Sequence, residues 1–423
     1  MKKLKKTSIS GSISIPSSKS QTIRAFLIAT FAKGKSIIHN PLISSDTIAC
    51  IDACKMLGAK ITFTSENETA FVDSSELDIN GKSLTIDTMN SGTTTYLLYG
   101  LLGTLGAKEI TLTGDEQLNR RPILPLVNAY RDLGLNAQLE GECPPVKITG
   151  ALKGGKTSII CKTSQYLSSL LLSLPLASTD SVVDCPLLYE KPYVKMTLEW
   201  LDRQNIKYTI SEDLQHVEIK GGQCYREDEV TVLGDFSSAS FFFVMAAITG
   251  TAITVNGLDR NDVQGDKRIL DVLQAMGCEI TWNGYSVTVK GPEHLKGGSF
   301  DLNSMPDTLP VLTIAALKAE EDVLFYNVQN ARIKETDRIK CMRENLEALG
   351  ANVVENPDGL LIKGGTKVKG TLVKGFKDHR IIMALAVCSL LCDEELTIDD
   401  ESACSVTFPT FFTLFDKLKG ENK

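Results

Sequence analysis

Small hydroxyl residues and cations stand immediately before strongly apolar segments of the chain. Residues 17–20 read Ser-Ser-Lys-Ser, and Arg24 follows directly before the apolar run 25–32. The N–H groups at a helix N-terminus attract anions, and a neighbouring lysine or arginine adds to that attraction. Because a helix that is apolar on nearly every side is buried, this pattern predicts a buried helix whose N-terminus faces an anionic ligand.

The pattern returns five more times, at intervals of roughly 72 residues. The later copies begin at Asn90, Thr163, Asp235, Pro306 and Lys377. A short β-type run follows each apolar segment, at residues 36–39, 109–112, 182–184, 252–255, 323–326 and 396–398. A polar loop and a helix come next, and the six helices are predicted to end at Gly58, Gly134, Asn205, Gly277, Gly350 and Gly420. Six repeated units therefore account for the whole chain.

Apolar helices, strands and amphipathic helices alternate within each unit, which indicates an α/β fold. Two arrangements of six units are open: a continuous solenoid, and two closed groups of three. Solenoid repeats usually have about 20 to 50 residues, so units of this length favour two threefold domains. Helices buried on all sides within sheets are typical of an inverted α/β barrel rather than of a doubly wound sheet.

Composition and charge exclude several classes of protein. The 423 residues are 43% hydrophobic and 23% charged with a net charge of −7, so we expect two globular domains and no broad nucleic-acid surface. Eleven cysteines without a C-x-x-C spacing indicate free thiols in a reducing cytoplasm rather than a metal site. The basic N-terminus lacks the apolar region of a signal peptide, and no apolar run reaches the roughly 18 residues of a membrane span.

Charged residues collect in the loops that follow the β-type runs. The densest segment is Asn-Ala-Arg-Ile-Lys-Glu-Thr-Asp-Arg at residues 330–338. By itself such a segment is typical of a solvated helix start, and Asp307 by itself is typical of an N-cap. Their position favours a ligand site, because α/β units present binding side chains at strand-to-helix turns. His379 and Arg380 stand where a strongly apolar helix begins, and a buried charge needs a partner or a ligand.

Taken in order, these segments closely resemble the 5-enolpyruvylshikimate-3-phosphate synthase family. The resemblance covers the chain from about residue 11 to about residue 412. The Asn-x-Gly-Thr piece is weak alone, whereas Lys-Glu-Thr-Asp-Arg followed by Asp-His-Arg is highly specific. The matching segments are Pro16-Ser17-Ser18-Lys19-Ser20 with Arg24, Asn90-Ser91-Gly92-Thr93, Arg121-Pro122, Ser164-Gln165, Gln264-Gly265-Asp266, Pro306-Asp307, residues 332–338 and Asp378-His379-Arg380.

The resemblance implies a transferase of the shikimate pathway, on the route to chorismate and the aromatic amino acids. The family transfers the enolpyruvyl group of phosphoenolpyruvate to the 5-hydroxyl of shikimate 3-phosphate and releases phosphate. Its fold is a two-domain inverted α/β barrel with three βαβαββ units in each domain, and the domains close on the substrates. The first lobe would be residues 17–234, and the second lobe residues 1–16 plus 235–423. We expect a cytoplasmic monomer that needs no metal or organic cofactor and binds neither nucleic acid nor a membrane.

Carried over residue by residue, the resemblance assigns two sets of substrate contacts. Shikimate 3-phosphate would be held by Lys19, Ser20, Arg24, Thr163, Ser164, Asp307, Asn330 and Lys334. Phosphoenolpyruvate would be held by Lys19, Gly92, Arg121, Gln165, Arg338 and Arg380. Fixed cations at helix starts suit two polyanions, because they attract both without reorganising during the reaction.

The implied mechanism is addition followed by elimination through a tetrahedral intermediate. Asp307 would accept the proton of the 5-hydroxyl, and Glu335 would exchange a proton at the methylene carbon of phosphoenolpyruvate. Lys19 would assist the departing phosphate. Domain closure would expel water and protect the intermediate.

Four positions depart clearly from the family pattern. Ser17 replaces a glycine, Tyr96 an arginine, Glu190 a serine that contacts the shikimate phosphate, and Val406 a lysine that helps to hold phosphoenolpyruvate. A carboxylate about 4 Å from a phosphate costs on the order of 4 kcal/mol at an effective dielectric constant near 20. Two alternatives therefore stay open. One is a sister enolpyruvyl transferase acting on a UDP-sugar, whose usual cysteine is absent from residues 114–120, and the other is an inactive homologue that only binds ligand.

Overall fold

The chain forms two compact units in a computed structural model that describes residues 1–420. The first lobe is Ser17–Val232, and the second lobe combines Met1–Pro16 with Leu233–Lys423. Backbone hydrogen bonds mark the division, because the Val232 N–H binds the His39 carbonyl whereas the Gly234 N–H binds the Gly257 carbonyl. The sequence places this crossing two residues later, and residues 421–423 of the expected second lobe lie outside the described part.

Twelve α-helices run through the described chain. They are α1 (Lys19–Phe31), α2 (Ser45–Met56), α3 (Gly92–Leu102), α4 (Leu124–Asp132), α5 (Ser164–Ser173), α6 (Lys191–Arg203), α7 (Phe236–Thr249), α8 (Ile269–Ala275), α9 (Leu309–Leu317), α10 (Arg338–Ala348), α11 (His379–Cys388) and α12 (Phe411–Lys417). Within residues 1–420, no helix has both the length and the hydropathy that crossing a membrane requires.

Short strands occupy much of the remaining chain. They are β1 (Lys2–Leu4), β2 (Gly11–Ser14), β3 (Lys35–His39), β4 (Lys60–Phe63), β5 (Thr69–Asp73), β6 (Ser83–Asp87), β7 (Glu109–Thr113), β8 (Asn136–Leu139), β9 (Val146–Thr149), β10 (Gly155–Cys161), β11 (Ser181–Leu188), β12 (Tyr208–Ile210), β13 (His216–Ile219), β14 (Glu229–Thr231), β15 (Ala252–Asn256), β16 (Glu279–Asn283), β17 (Ser286–Lys290), β18 (Gly298–Asp301), β19 (Val323–Tyr326), β20 (Val353–Asn356), β21 (Gly359–Ile362), β22 (Leu372–Val373) and β23 (Leu396–Ile398). All six predicted β-type runs fall within strands of this set.

Each lobe contains three small mixed sheets, and the four-stranded ones are built to one plan. Two parallel strands lie beside an antiparallel hairpin: β6 pairs in parallel with β7, and β7 and β8 each pair antiparallel with β9. The first lobe has the strand orders β14-β3-β5-β4, β6-β7-β9-β8 and β10-β11-β13-β12. The second lobe has β2-β15-β17-β16, β18-β19-β21-β20 and β1-β23-β22. One sheet therefore corresponds to each of the six sequence repeats.

Strands on either side of the lobe crossings are exchanged. β2 precedes α1 in the chain but pairs in parallel with β15 of the second lobe, with Gly11 opposite Ile253. β14 precedes α7 but pairs in parallel with β3 of the first lobe, with Glu229 opposite Ile37. At the N-terminus, β1 pairs antiparallel with β23 and so takes the place of a hairpin in the sixth repeat. Each lobe is therefore completed by a segment distant in sequence.

Left-handed residues end five of the six amphipathic helices, as the sequence predicts. Positive φ angles occur at Gly58, Gly134, Asn205, Gly277 and Gly350. Gly420 is not among the residues with positive φ, so that part of the prediction is wrong. The reason is that the chain after α12 runs alongside the N-terminal segment, where the Gly420 N–H binds the Ser8 carbonyl at 3.1 Å.

Apolar helices form the inside of each lobe, and the sheets lie around them. Every residue of α3 is buried, and in α7 the only residue that is not buried is Thr249, at its last position. The strands alternate instead: along β10 the buried side chains are Thr157, Ile159 and Cys161. Phe241, Phe242 and Phe243 of α7 are all buried, and each contributes about 1.5–3 kcal/mol relative to an exposed position. The helix N-termini are thereby fixed by the core.

Gly100 in α3 lies where a side chain has no room. A Cβ at this position would be 1.8 Å from the Tyr130 hydroxyl oxygen and 2.6 Å from the Ser173 hydroxyl oxygen. We expect Gly100→Ala to lower the free energy of unfolding by about 1–3 kcal/mol, because overpacking outweighs the better helix propensity of alanine. Urea titration followed by circular dichroism measures this, with the exposed Lys195→Ala in α6 as a control that should change by less than about 0.5 kcal/mol. Equal stability of Gly100→Ala and the parent would contradict the expectation.

Candidate active site

Helix starts carry most of the predicted site residues, which divide between the lobes. The first-lobe cluster consists of Lys19, Ser20, Arg24, Gly92, Arg121, Thr163, Ser164 and Gln165. The second-lobe cluster consists of Asp307, Asn330, Lys334, Glu335, Arg338 and Arg380. In the first lobe, the Gln165 side chain donates to the Thr93 hydroxyl at 3.1 Å, which joins the starts of α5 and α3.

Arg24 is a buried cation surrounded by neutral oxygens. Its Nε donates to the Thr197 hydroxyl at 3.0 Å, and its Nη atoms donate to the carbonyls of Ser20 and Tyr193. The residue is 2% exposed, and among residues 1–420 no carboxylate lies within ion-pair distance of it. Burial, only partly offset by the nearby Tyr193, lowers the pKa of the guanidinium to about 10. Arg24 therefore remains charged at neutral pH and leaves positive charge inside the first lobe.

Lys19 has a carboxylate partner that the sequence analysis did not identify. Its Nζ lies 3.0 Å from Oδ2 of Asp46, and both side chains are largely buried. Asp46 is in the first turn of α2, which follows the loop after the first β-type run. The signal that could have identified it is its position beside a loop of the kind where functional residues collect. The ion pair holds the Lys19 amine at the start of α1.

The Arg121 guanidinium lies close to the backbone of Gly92. Arg121 Nη2 donates to Oδ1 of Asn90 at 3.1 Å, and the Asn90 amide donates in turn to Asp115 and Gln117, both at 2.8 Å. A Cβ on Gly92 would lie 2.5 Å from Arg121 Nη1. Glycine at this position therefore lets the guanidinium lie directly against the start of α3.

Tyr96 supports the segment that carries Arg121. Its hydroxyl donates to the Pro122 carbonyl at 3.0 Å, and the Tyr166 hydroxyl donates to the same oxygen at 2.6 Å. The two rings meet edge to face with centroids 5.5 Å apart. Although Tyr96 removes a cation relative to the family pattern, it fixes the position of the neighbouring one.

Glu190 directs its carboxylate at the start of α5. Its Oε2 accepts hydrogen bonds from the Ser164 hydroxyl (2.8 Å), the Ser164 N–H (3.1 Å) and the Thr163 hydroxyl (3.4 Å), and the residue is 2% exposed. Its backbone is left-handed, with φ 56° and ψ 40°, which costs a non-glycine residue about 1–2 kcal/mol. The carboxylate thus occupies the donors that the resemblance assigns to the phosphate of the acceptor.

Arg338 is the centre of the second-lobe cluster. It is 1% exposed and meets three carboxylates: Nη1 lies 2.7 Å from Asp307, Nη2 donates to Glu335, and Asp378 accepts from both Nε (2.9 Å) and Nη2 (3.2 Å). Burial would lower the pKa of this guanidinium, but the three carboxylates outweigh burial and raise it. Asp378 also caps α11 through the Arg380 N–H, so one side chain holds two helix starts together.

Asp307 lies between two arginines. Its Oδ1 accepts from Arg338, and its Oδ2 lies 2.9 Å from Arg380 Nη2. Burial would raise the pKa of this carboxyl group, but Arg380, Arg338 and Lys334 together hold the pKa well below its ordinary value. In this arrangement Asp307 is ionised at neutral pH and is a weak base.

The remaining departures from the family pattern add no charge. Val406 ends the 3-10 turn Ser402–Val406 and is partly buried, so no cation replaces the family lysine at that position. Ser17 is buried at the start of the first lobe. Thr163 accepts a hydrogen bond from the Gln165 N–H and so caps α5.

No metal site occurs among the described residues. Within residues 1–420, no group of three or more His, Cys, Asp and Glu side chains is arranged to hold a metal ion. All eleven cysteines are free thiols, and only Cys143 and Cys224 are not buried.

Comparison with known proteins agrees with this geometry. The sequence model of the EPSP synthase (3-phosphoshikimate 1-carboxyvinyltransferase) family matches residues 4–415. The chain is 44% identical over 412 residues to the 3-phosphoshikimate 1-carboxyvinyltransferase of Ruminiclostridium cellulolyticum, which covers 97% of this chain and 96% of the relative. It is 43% identical to the enzyme of the same name from Acetivibrio thermocellus, over 98% and 97% of the two chains.

The chain belongs to the EPSP synthase family. Its structure is similar to that of EPSP synthase from Acinetobacter baumannii, with a TM-score of 0.82 and 26% identity over 99% of this chain and 98% of that one. The predicted two-domain inverted α/β barrel is thereby confirmed, as is the prediction of a transferase of aromatic amino acid biosynthesis.

Several contacts in this member of the EPSP synthase family could not be predicted from the sequence. Thr197 contacts Arg24 from α6, and its hydroxyl donates to the Ser168 hydroxyl at 3.0 Å, so it links three helices. No sequence signal distinguishes this threonine from others in amphipathic helices. Asp378 was recognised as part of a motif, but its contact with Arg338 needs the packing of α10 against α11.

His379 is buried beside the second-lobe cluster and predicts a pH dependence of stability. Its Nε2 has no hydrogen-bond partner among residues 1–420, and burial lowers its pKa to about 3. Because the pKa in the unfolded chain is about 6.5, the unfolded chain binds one more proton below that pH. The stability due to neutral His379 is therefore complete above about pH 6.5 and is lost as the pH falls toward 3.

We expect the parent to lose about 2 kcal/mol of unfolding free energy between pH 7 and pH 5 from this residue alone, and His379→Leu to lack that loss. The measurement is urea unfolding followed by Trp282 fluorescence in a Trp200→Phe background, since these are the two tryptophans and Trp282 reports on the second lobe. His294→Leu, at an exposed position, is the control and should keep the parental pH dependence. Identical pH profiles for His379→Leu and the parent would show that His379 does not titrate in this way.

Proposed function

We propose that the two clusters bind the two anionic substrates of the family reaction. In that reaction the enolpyruvyl group of phosphoenolpyruvate passes to the 5-hydroxyl of shikimate 3-phosphate, and phosphate leaves. The observation that carries the proposal is the second-lobe network, in which Arg338 directly contacts both Asp307 and Glu335. A candidate base and a candidate acid are thus held beside cations that suit a phosphorylated substrate.

Shikimate 3-phosphate would be bound by Lys19, Ser20, Arg24, Thr163 and Ser164 of the first lobe and by Asp307, Asn330 and Lys334 of the second. Arg24 supports this assignment, because within residues 1–420 its buried charge is matched by neutral oxygens rather than by a carboxylate and so attracts a dianion. Lys334 supports it because its charge, together with Arg380 and Arg338, holds the pKa of Asp307 well below its ordinary value. Asn330 is buried in the 3-10 turn Gln329–Ile333.

Phosphoenolpyruvate would be bound by Lys19, Gly92, Arg121, Gln165, Arg338 and Arg380. The contact of Arg121 with the start of α3 supports the first-lobe part, since the guanidinium and the helix N–H groups can then attract the same anion. Arg338 and Arg380 meet at Asp307 in the second lobe.

The proposed chemistry has two steps in which atoms and charges balance. In the addition, Asp307 accepts the proton of the 5-hydroxyl as its oxygen attacks the central carbon of phosphoenolpyruvate, and Glu335, in its protonated form, gives a proton to the methylene carbon. In the elimination, Glu335 takes a proton back from the new methyl group while phosphate leaves with the proton that Asp307 had accepted, and Lys19 stabilises the departing charge.

The ion pairs of Asp307 limit its ability to accept the proton of the 5-hydroxyl. Asp307 is a weak base while Arg338 and Arg380 contact it. The phosphate and carboxylate groups of bound phosphoenolpyruvate would draw those guanidinium groups toward themselves. Weaker pairing would raise the pKa of Asp307 toward its ordinary value. The base would therefore become effective only when the second substrate is present.

We also infer that the chain works in the cytoplasm as a monomer without a metal or organic cofactor. Nine buried free thiols suit a reducing compartment. Light scattering after size-exclusion chromatography tests the oligomeric state.

The test of function is phosphate release from phosphoenolpyruvate in the presence of shikimate 3-phosphate. We expect turnover by the parent, and a loss of about 10²- to 10⁴-fold in kcat for Asp307→Ala and for Glu335→Ala, since positioned acid–base groups normally contribute this much. Asp322→Asn and Glu344→Gln remove carboxylates from surface ion pairs of the same lobe and serve as controls that should stay within about twofold.

Variants that stay within about tenfold of the parent would show that Asp307 or Glu335 lacks the proposed role. Phosphate release with UDP-N-acetylglucosamine but not with shikimate 3-phosphate would assign a different acceptor, and release with neither would indicate a protein that only binds ligand.

A further inference from the structure

We propose that Glu190 determines acceptor affinity by competing, as a resident carboxylate, with the phosphate group of the acceptor. The proposal rests on the proposed function, because it takes Thr163 and Ser164 as the residues that donate to that phosphate. Its structural basis is that one oxygen of Glu190 accepts all three hydrogen bonds that these two residues direct toward it.

The carboxylate fills an anion position that the fold has already built. The start of α5 offers two hydroxyl donors and an N–H, and a helix N-terminus favours negative charge. A carboxylate and a phosphate need the same donors. At a position that is almost closed to water, they also repel each other strongly. Phosphate binding therefore requires the carboxylate to turn away from these donors, and this requirement weakens binding.

The loop geometry selects this orientation of Glu190. The residue immediately precedes α6, yet its side chain makes no capping hydrogen bond to its own helix. Its left-handed backbone directs the carboxylate to α5 instead. If Glu190 only ended the loop before α6, its carboxylate would not need to accept hydrogen bonds from residues at the start of α5.

Arg24 explains why this competition weakens phosphate binding without abolishing it. The guanidinium is buried, and its hydrogen bonds go to the neutral oxygens of Thr197, Ser20 and Tyr193. Positive charge therefore remains in the first lobe for an incoming phosphate. Glu190 thus lowers the contribution of the phosphate group to acceptor affinity, relative to the contributions of the ring hydroxyls. Glu190 is therefore a specificity-determining residue.

Two variants of the full chain test the proposal. Glu190→Gln keeps the shape and removes the charge, and Glu190→Ser restores the residue typical of the family. We expect KM for shikimate 3-phosphate to fall at least tenfold in both, and the preference for shikimate 3-phosphate over unphosphorylated shikimate in kcat/KM to rise by a similar factor. KM for phosphoenolpyruvate should change by less than about twofold. Glu199→Gln removes a charge from the exposed face of α6 and should match the parent.

Two kinetic results would overturn the proposal. One is a KM for shikimate 3-phosphate in Glu190→Gln that equals or exceeds that of the parent, since Glu190 would then not oppose the phosphate. The other is an equal gain with unphosphorylated shikimate, since the effect would then not concern the phosphate group.

A binding experiment keeps this test independent of turnover. In calorimetric titrations with inorganic phosphate, Glu190→Ser and Glu190→Gln should bind at least tenfold more tightly than the parent, and adding Arg24→Gln to Glu190→Ser should remove the gain. If no variant turns over shikimate 3-phosphate, the proposed function fails while the titration still decides the role of Glu190. Equal phosphate affinity in the parent and both variants would overturn that role.

Discussion

The burial of arginine side chains near the N-terminal ends of helices is the constraint on which the rest of the site depends. A guanidinium keeps its charge at physiological pH, so a buried one must be surrounded by acceptors. Arg338 meets this requirement with three carboxylates, whereas Arg24 meets it with neutral oxygens. The second-lobe cluster therefore balances its own charges, whereas in the first lobe Arg24 has no carboxylate partner among residues 1–420.

Both lobes place their own carboxylates where an anionic substrate would be expected. Asp307 contacts Arg338 and Arg380, and Glu190 accepts from Ser164 and Thr163. If the substrates bind at these residues as proposed, binding is an exchange of one anion for another rather than the filling of an open cationic pocket. Affinity then depends on the difference between two similar interactions, which is small compared with either of them. Under the proposed function, single substitutions among these carboxylates are expected to change specificity as well as affinity.

Close packing around the first-lobe cluster limits how far its cations can move. Gly92 lets Arg121 lie against the start of α3, and the hydroxyls of Tyr96 and Tyr166 converge on the carbonyl of Pro122. Tyr96 is a departure from the family pattern that packs without leaving an unsatisfied hydroxyl. Tyr96 removes a charge relative to the family pattern, yet it preserves the position of the neighbouring charged side chain, Arg121.

The sequence by itself determined the sixfold repeat, the positions of the apolar helices and most helix ends. These features depend on local composition and backbone preference: β19 spans the predicted run 323–326, and Gly58 has the left-handed conformation that its position indicates. The motifs were enough to identify the family. Only the tertiary structure decided the pairing partners of β2 and β14, the pairing of Lys19 with Asp46 and the orientation of Glu190. The reason is that each of these requires residues distant in sequence to meet, and Thr197, which holds Arg24, is 173 positions away from it.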